Sequence, residues 1–420
     1  MSKMLLINPP FYRFMGLEQD YVPLSLLAGG SKMGKDGNEV FVKNMEVGHD
    51  MFYKGYTDRG NNYHEYTEAI ENNSHPVWNE LDQIISDINP DMVGVNVLNV
   101  KYRSALKVLD IARSHEKKLI VGGNHPSMEP EAYDGDVSVW QGEYESLSPG
   151  KRMKDLDDTP FPDFDILMDK YSPNGYAHIL SSRGCPFNCR FCASQVMWNR
   201  RVTYKSVDRI LDEMHYVYHR FRPSYFTFWD EVFTLNKKRL GDFCHKYDLP
   251  VQWRCDTRAD AITEEMVIIM KDAGCGQMSI GMECANDNIL AYIGKNESKD
   301  DFLRIAEILN KYEIQWKAYI IVGFPKDTVK IIRESLDFIK SLQPFRITLS
   351  FFTPYKGTSL YDECKDLGLI NDNYDEAMYS HQSPHNYFCP KITRKRYDIL
   401  RQKITKEIDE YNKEALKTWK

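Results

Sequence analysis

The sequence predicts an α/β chain in three parts: an N-terminal doubly wound (Rossmann-like) parallel sheet, a partial (β/α)6 TIM-type barrel, and a C-terminal helical extension. Three observations predict it. Short runs rich in Val, Ile and Leu alternate with amphipathic stretches over the first 145 or so residues, the pattern of a parallel sheet covered on both faces. The alternation lapses and restarts near Ala177 with about 30 residues per unit, the size of a βα repeat. Residues of catalytic type then fall just past the carboxyl ends of the second set of strands, where such a fold gathers its chemistry.

In the first part the expected strands are "KMLLIN" (3–8), "EVFVKN" (39–44), "DMVGVNV" (91–97), "KLIVGG" (118–123) and "DVSVWQG" (136–142), with helices near 22–35, 77–88 and 102–115. Residues 49–76 break the pattern with a stretch rich in Tyr, Asn and His, too long for an ordinary connection, and read as a disordered insertion or a lid. The charged, proline-bearing stretch at 148–165 reads as an interdomain linker. The second set of strands is expected at 177–182, 225–230, 251–256, 277–283, 316–323 and 346–354; eight would close a barrel and six leave it open. The resulting boundaries are 1–147, a linker at 148–170, a barrel at 171–363 and a helical extension at 364–420 packed against the barrel.

A chain of 420 residues with 42% hydrophobic and 27% charged residues has the composition of an ordinary globular protein. Its net charge of -7 argues against a nucleic-acid surface, and the basic run 391–396 reads as a solvated helix start. Leu5 to Ile7 is too short an apolar run for a signal peptide, and no stretch approaches the ~18 apolar residues of a membrane span, so the expected location is the cytoplasm. Nine cysteines, three clustered and the rest scattered, fit reduced thiols and a metal site better than a disulfide framework.

The cluster is "RGCPFNCRFCA", with Cys185, Cys189 and Cys192 in C-x3-C-x2-C spacing. Structural zinc takes four ligands, typically as two separated pairs, and no second pair exists here; His178 could complete a set but falls inside a strand. A four-iron cluster held by three cysteines keeps one iron open for a cofactor. Gly184 and Pro186 suit a tight loop, and Phe191 can shield one side of it.

With the motifs that follow it, this cluster resembles the radical S-adenosylmethionine (SAM) superfamily over about residues 177–363. "FTFWDEVFT" resembles the family's second-strand segment, which implies Asp230 or Glu231 at the methionine ammonium, and the resemblance counts Phe191 among the SAM contacts. "MKDAGCGQMSIGMEC" resembles the fourth-strand segment and implies Glu283 at the ribose hydroxyls. "IIVGFPKDT" resembles the Gly-x-Pro turn along adenine and implies Gly323 and Pro325, although Lys326 and Asp327 replace the usual Gly-Glu. "RCDTRAD" implies Arg258 at the methionine carboxylate, with Arg254 as the competing choice. Each residue has a structural alternative: helix caps for Asp230 and Glu231, a lysine partner for Glu283, a plain turn for Gly323 and Pro325. Their common placement at one end of one sheet favours the chemical role.

The first part resembles the cobalamin-binding domain attached to one subfamily of these enzymes, on "LLINPP", "VPLSLLAGGSKMGKDGNEV", "PDMVGVNV", "IVGGNHPSMEPE" and "WQGEYE". The implied cobalamin contacts are Asn8, Pro9, Gly122, Gly123 and Gly142. Asp-x-His-x-x-Gly is absent, since the chain reads "NMEVGHD" after the second strand, which removes the mode with a lower histidine ligand. The resemblance therefore implies a [4Fe-4S] cluster, SAM and cobalamin as cofactors, and reductive SAM cleavage to a 5′-deoxyadenosyl radical for cobalamin-dependent methylation of an unactivated carbon. Cobalamin-free radical rearrangement, cyclisation or oxidation is the alternative, and a structural zinc or iron-sulfur module the rival from another class. Implied partners are a small-molecule or peptide substrate and a reductant such as flavodoxin or ferredoxin, with neither membrane nor nucleic acid. Tyr355, Lys356 and the aromatics of 52–66 are expected to face the substrate, and Cys389 reads as a radical quencher or a buried thiol.

Overall fold

The computed structural model describes residues 1–16, 22–47, 62–144, 152–169, 171, 175–371 and 373–418. The chain divides into two compact units, the first holding the described residues up to 171 together with Glu376–Met378, the second the remainder.

In the first unit five parallel strands, β1 (Lys3–Asn8), β2 (Glu39–Asn44), β3 (Met92–Asn96), β4 (Lys118–Gly122) and β5 (Val137–Val139), lie in the order β2-β1-β3-β4-β5. The inner strand β1 is mostly a run of five buried residues, as expected where helices cover both faces of a parallel sheet. Those helices are α1 (Leu24–Lys35), α2 (Tyr63–Glu71), α3 (Pro76–Ile88), α4 (Tyr102–Ser114) and the short α5 (Asn124–Met128). The strand order reverses between β1 and β3, which places the topological switch point at the carboxyl end of β1.

The sequence expectation for 49–76 needs correcting. Where described, this stretch is neither lid nor disordered: α2 buries Tyr63, Tyr66 and Ala69, spaced three apart on one face, in the core. The Phe11 ring meets Tyr66 at 4.7 Å, and the Trp78 indole donates to the Ala69 carbonyl at 2.8 Å. Tyr63 and Tyr66 therefore serve packing, and residues 48–61, including Phe52, lie outside the described residues. Similarly, 152–169 is not a free tether. Leu156 and Phe164 are buried, the Met168 amide bonds the Val42 carbonyl at 2.9 Å, and Asp169 pairs with Lys43 at 2.7 Å.

The second unit is built on six parallel strands in sequential order: β6 (Tyr176–Ile179), β9 (Tyr225–Phe228), β10 (Gln252–Thr257), β11 (Cys275–Glu283), β12 (Gln315–Val322) and β13 (Arg346–Phe351). A two-stranded ribbon, β7 (Ser182–Arg183) with β8 (Thr203–Tyr204), follows β6 and brackets the cysteines. Helices α6 (Ser194–Trp198), α7 (Val207–Phe221), α8 (Lys237–Lys246), α9 (Glu264–Asp272), α10 (Asp287–Tyr292), α11 (Lys299–Lys311), α12 (Val329–Ser341) and α13 (Ser359–Asp366) connect the strands and follow the last. The long α14 (Arg394–Thr418) packs on the edge strand β13. There the Asn412 amide replaces a missing strand: its Oδ1 accepts the Ile347 N–H at 2.8 Å and its Nδ2 donates to the Ile347 carbonyl at 2.9 Å. All nine cysteines are free thiols. Among the described residues no helix is long and apolar enough to cross a membrane.

Candidate active site

The cysteine loop sits beyond the carboxyl end of β6. Its entry is fixed by Glu231, which accepts the Gly184 N–H at 3.1 Å and the Ser194 hydroxyl at 3.3 Å. Its far side is fixed by Arg190, whose Nη2 meets Glu363 at 2.6 Å while its backbone N–H bonds the Ile293 carbonyl at 2.8 Å. Burial pushes all three thiols up, Cys192 to about 12, so this donor set becomes anionic only with a cation bound. One zinc ion bonded at about 2.3 Å would need thiolates within about 3.8 Å of one another. Among the described residues no three His, Cys, Asp or Glu side chains gather as the ligands of a single ion. His178 offers no fourth ligand of that kind: its ring lies in β6, 4.2 Å from the Trp229 ring, and burial with the nearby Arg254 charge holds it down at about 3. Three soft thiols on one short loop fit the larger iron-sulfur cluster.

The two acidic residues after β9 differ in how they are used. Asp230 is buried and saturated, accepting the Ser181 N–H at 2.8 Å and the hydroxyls of Ser181 and Ser182 at 2.5 and 2.6 Å. It fixes the bend between β6 and β7. Glu231, whose carboxyl burial raises, accepts two bonds and retains lone pairs.

Arg258, after β10, is the hub of the site. Its guanidinium lies 3.8 Å over the Phe187 ring and 3.7 Å from the Cys189 sulfur. It also binds Asp260 twice, at 2.8 and 2.7 Å, and the Lys295 carbonyl at 2.6 Å. Burial alone would pull it down, but Asp260 and Glu297 outweigh that and keep it charged. Glu283 ends β11 at a bulge with φ 60°, a left-handed conformation costly for a residue with a side chain. Burial pushes its carboxyl up against the pull of Lys295, whose Nζ is 3.4 Å away. Lys295 also meets Glu297 at 2.9 Å, and Glu297 accepts the Ala259 N–H at 2.7 Å. Arg258, Lys295, Glu283 and Glu297 thus form one buried network reaching Cys189.

The turn Gly323-Phe324-Pro325 follows β12. Asp327 folds back onto it, accepting the N–H groups of Gly323 and Phe324 at 2.9 and 3.0 Å, and burial raises its carboxyl to about 7. Gly323 has φ 100°, and a Cβ there would lie 2.5 Å from the Tyr397 hydroxyl oxygen. The Phe324 ring stands between Phe352 at 5.0 Å and Phe191 of the cysteine loop at 5.8 Å. Arg254 sits lower on β10, bonded to Thr227 and Gln277. Cys389 is a fully buried thiol. Sequence reasoning missed Lys295, Glu297 and Tyr397, and it noted Asp327 only as a carboxylate where the family's turn has one.

In the first unit the carboxyl edge is already occupied by a charge pair. Lys101 and Glu46, both with no exposed side-chain surface, meet at 2.7 Å; Lys101 also donates to Asn8 at 2.9 Å, and Asn8 to Asn44 at 2.7 Å. The Asn8 amide is therefore committed, and the adjoining Pro9 is buried. Gly123, with φ 108°, lies so close to the end of β3 that a Cβ would be 2.5 Å from Asn96 Oδ1. Gly122 and the exposed Gly142 remain at the edge, near Trp140, whose buried indole N–H has no partner among the described residues. That orphaned donor is the feature of this edge that fits a bound group.

Residues 179–339 match the radical SAM superfamily. An uncharacterized methyltransferase of Pyrococcus horikoshii is 28% identical over 328 residues, covering 68% of this chain and 72% of its own. The bacteriochlorophyllide d C-12(1)-methyltransferase of Chlorobaculum tepidum is 25% identical over 332 residues, covering 71% and 73%. Among solved structures, the radical SAM methyltransferase TsrM of Kitasatospora setae, with cobalamin and a [4Fe-4S] cluster bound, shares the fold over 96% of this chain and 89% of its own, with TM-score 0.69 and 14% identity. The cobalamin-dependent radical enzyme OxsB shares it over 97% and 62%, with TM-score 0.60 and 17% identity. With the cysteine loop and the strand-end carboxylates in place, the second unit carries a radical SAM domain over residues 179–339, and the chain is an enzyme.

Proposed function

We propose that this enzyme is a cobalamin-dependent radical SAM methyltransferase acting on an unactivated carbon. The observation that carries the reading is the three-cysteine loop, one ligand short of a closed site, joined through Arg258 to the network that ends at Glu283. Cys185, Cys189 and Cys192 would hold a [4Fe-4S] cluster, and Glu231, with Asp230 fixing the bend beside it, would meet the SAM ammonium. Arg258 would offer charge to the methionine carboxylate, Glu283 would take the ribose hydroxyls, and Gly323, Pro325 and Phe191 would flank the adenosyl group. Bound there, the cluster and SAM would supply one-electron radical chemistry, and cobalamin on the first unit would supply the methyl group. The chain's own residues do the rest: Arg258 and Lys295 keep positive charge beside the thiols, and Phe187, Phe191 and Phe324 exclude water around them. The methyltransferase relatives, and the cobalamin carried by TsrM and OxsB, support the methylation reading.

The test is anaerobic purification and reconstitution. The protein should be brown, with about four irons and four sulfides per chain, and should form 5′-deoxyadenosine from SAM with dithionite. Replacing Cys185, Cys189 and Cys192 with Ala should abolish both. Colourless, zinc-loaded protein would refute the reading. Failure to retain a corrinoid after desalting would refute the cobalamin part alone and leave rearrangement, cyclisation or oxidation.

A further inference from the structure

The three cysteine sulfurs do not sit in equivalent surroundings. Cys185 and Cys192 each receive the backbone N–H two residues on, from Phe187 and Ser194, so the loop's own chain supplies those donors. Cys189 receives a side chain brought from another strand: Nη1 of Arg258, just past β10, lies 3.7 Å from its sulfur. The rest of that guanidinium is engaged. Its Nε and Nη2 donate to the two oxygens of Asp260 at 2.8 and 2.7 Å, and Nη2 also donates to the Lys295 carbonyl at 2.6 Å. Glu297, with no exposed side-chain surface, stands 3.4 Å from Nη2 and 2.9 Å from the Lys295 ammonium. The Phe187 ring lies against the guanidinium face at 3.8 Å. A two-point grip on a carboxylate takes a pair of neighbouring N–H groups. Asp260 takes the Nε–Nη2 pair, and the Lys295 carbonyl takes the other Nη2 hydrogen, so Nη1 is the end left for the cysteine loop.

We infer that Arg258 is the hydrogen-bond donor to the Cys189 thiolate and raises the reduction potential of the iron-sulfur cluster, with Asp260 and Glu297 as the positioning residues that aim it. The inference rests on the reading of the loop as a cluster site and deepens it. An electron added to such a cluster puts negative charge onto its sulfur ligands. A charged donor on one of them stabilises the reduced form more than the oxidised form. The Arg258 side chain is 6% exposed, so little water screens its charge from the sulfur. The arrangement stands before SAM arrives: with its paired N–H groups spent, Arg258 gives the methionine carboxylate charge but no two-point bond. The electron comes from an external one-electron reductant and stays on the cluster, and no bond is made or broken in the step that Arg258 tunes.

The test uses the reconstituted enzyme without SAM, and its first readout needs no variant. Wild-type protein carrying arginine labelled with ¹⁵N in the guanidinium, reduced with dithionite, should show a ¹⁵N coupling to the cluster's unpaired electron in pulsed electron paramagnetic resonance. Arg258→Lys should lose that coupling. In redox titrations read by the same resonance, Arg258→Gln should shift the reduction equilibrium at least tenfold toward the oxidised cluster, about 59 mV for one electron. Arg258→Lys, which keeps a charge without the fork, should fall between, and exposed Lys238→Met should match the wild type. Unchanged iron and sulfide content and melting temperature exclude misfolding. The inference is overturned if the labelled wild type shows no coupling, or if Arg258→Gln keeps the wild-type potential. SAM affinity lowered more than tenfold at an unchanged potential would assign the guanidinium to the methionine carboxylate instead. Protein that takes up no four-iron cluster refutes the reading of the loop and the inference with it, whereas an intact cluster indifferent to Arg258 overturns the inference alone.

Discussion

Gly323→Ala tests how the C-terminal helix shapes the turn assigned to adenine. Two separate costs arise. At φ 100° an L-residue is strained by roughly 1–3 kcal/mol. The new Cβ would also stand 2.5 Å from the Tyr397 hydroxyl oxygen and 3.3 Å from the ring carbon bearing it. Tyr397 is 1% exposed and has nowhere to swing, so this overpacking adds about 1–3 kcal/mol. The sum, about 2–6 kcal/mol, should lower the melting temperature by roughly 10 °C in a unit of this size. Tyr397→Phe removes the clashing oxygen, and alone should cost within about 1 kcal/mol. The double variant should therefore recover the clash but keep the backbone strain, giving a coupling of about 1–3 kcal/mol in a double-mutant cycle read by thermal and urea unfolding. SAM affinity should fall in Gly323→Ala and recover in part with Tyr397→Phe. Strict additivity, or a Gly323→Ala protein as stable as the wild type, would refute the reasoning.

Lys101→Met leaves Glu46 charged and buried without its partner, and should cost about 3–5 kcal/mol in urea unfolding of the first unit. Adding Glu46→Gln removes that charge yet keeps an acceptor for the Phe11 and Arg13 amides, so most of the loss should return; no recovery would mean that packing, and not charge, sets the cost. Lys317 predicts a pH dependence of the opposite sense to an ordinary lysine salt bridge. Its proton is lost at about 7 in the fold and near 10.5 in the unfolded chain, so the unfolded state binds more protons between those values. The penalty is full below pH 7, falls as pH rises and is gone above 10.5. Lys317→Met should accordingly stabilise the enzyme by on the order of 4 kcal/mol at pH 6–7, with the gain shrinking toward pH 10. The groups facing it are Arg254, Asp256, Ser279 and Arg346, and a gain that grows with pH would contradict this balance.

How much was legible in the sequence depended on whether a residue's environment is set locally. The strands were legible because β1, β3 and β12 carry their burial in their own composition, and the cysteine loop because three thiols in eight residues have few uses. The helix α2 was not. Its buried stripe is two tyrosines and an alanine among Glu, His and Thr, and Phe11, Phe14 and Trp78, packed from other parts of the chain, make it core. Lys295 and Glu297 were invisible for a stronger reason. A Lys and a Glu in a loop read as solvated, and they are buried here only because Arg258, some 40 residues earlier, and Glu283 supply the opposite charges.

Tyr397 lies against Gly323 at the carboxyl end of β12, while Asn412 bonds Ile347 near the amino end of β13. Fifteen helical residues separate them, about 22 Å at 1.5 Å each, close to the roughly 20 Å length of the six-residue edge strand. The helix therefore runs antiparallel along the whole edge and ends on the turn. One element covers the free edge of the sixth strand, replacing a strand's hydrogen bonds at one end, and sets the shape of the proposed adenine turn at the other. A barrel two strands short of closure leaves its last edge free for that use. The extension is thus the reason the sixth strand can end the sheet without exposing it.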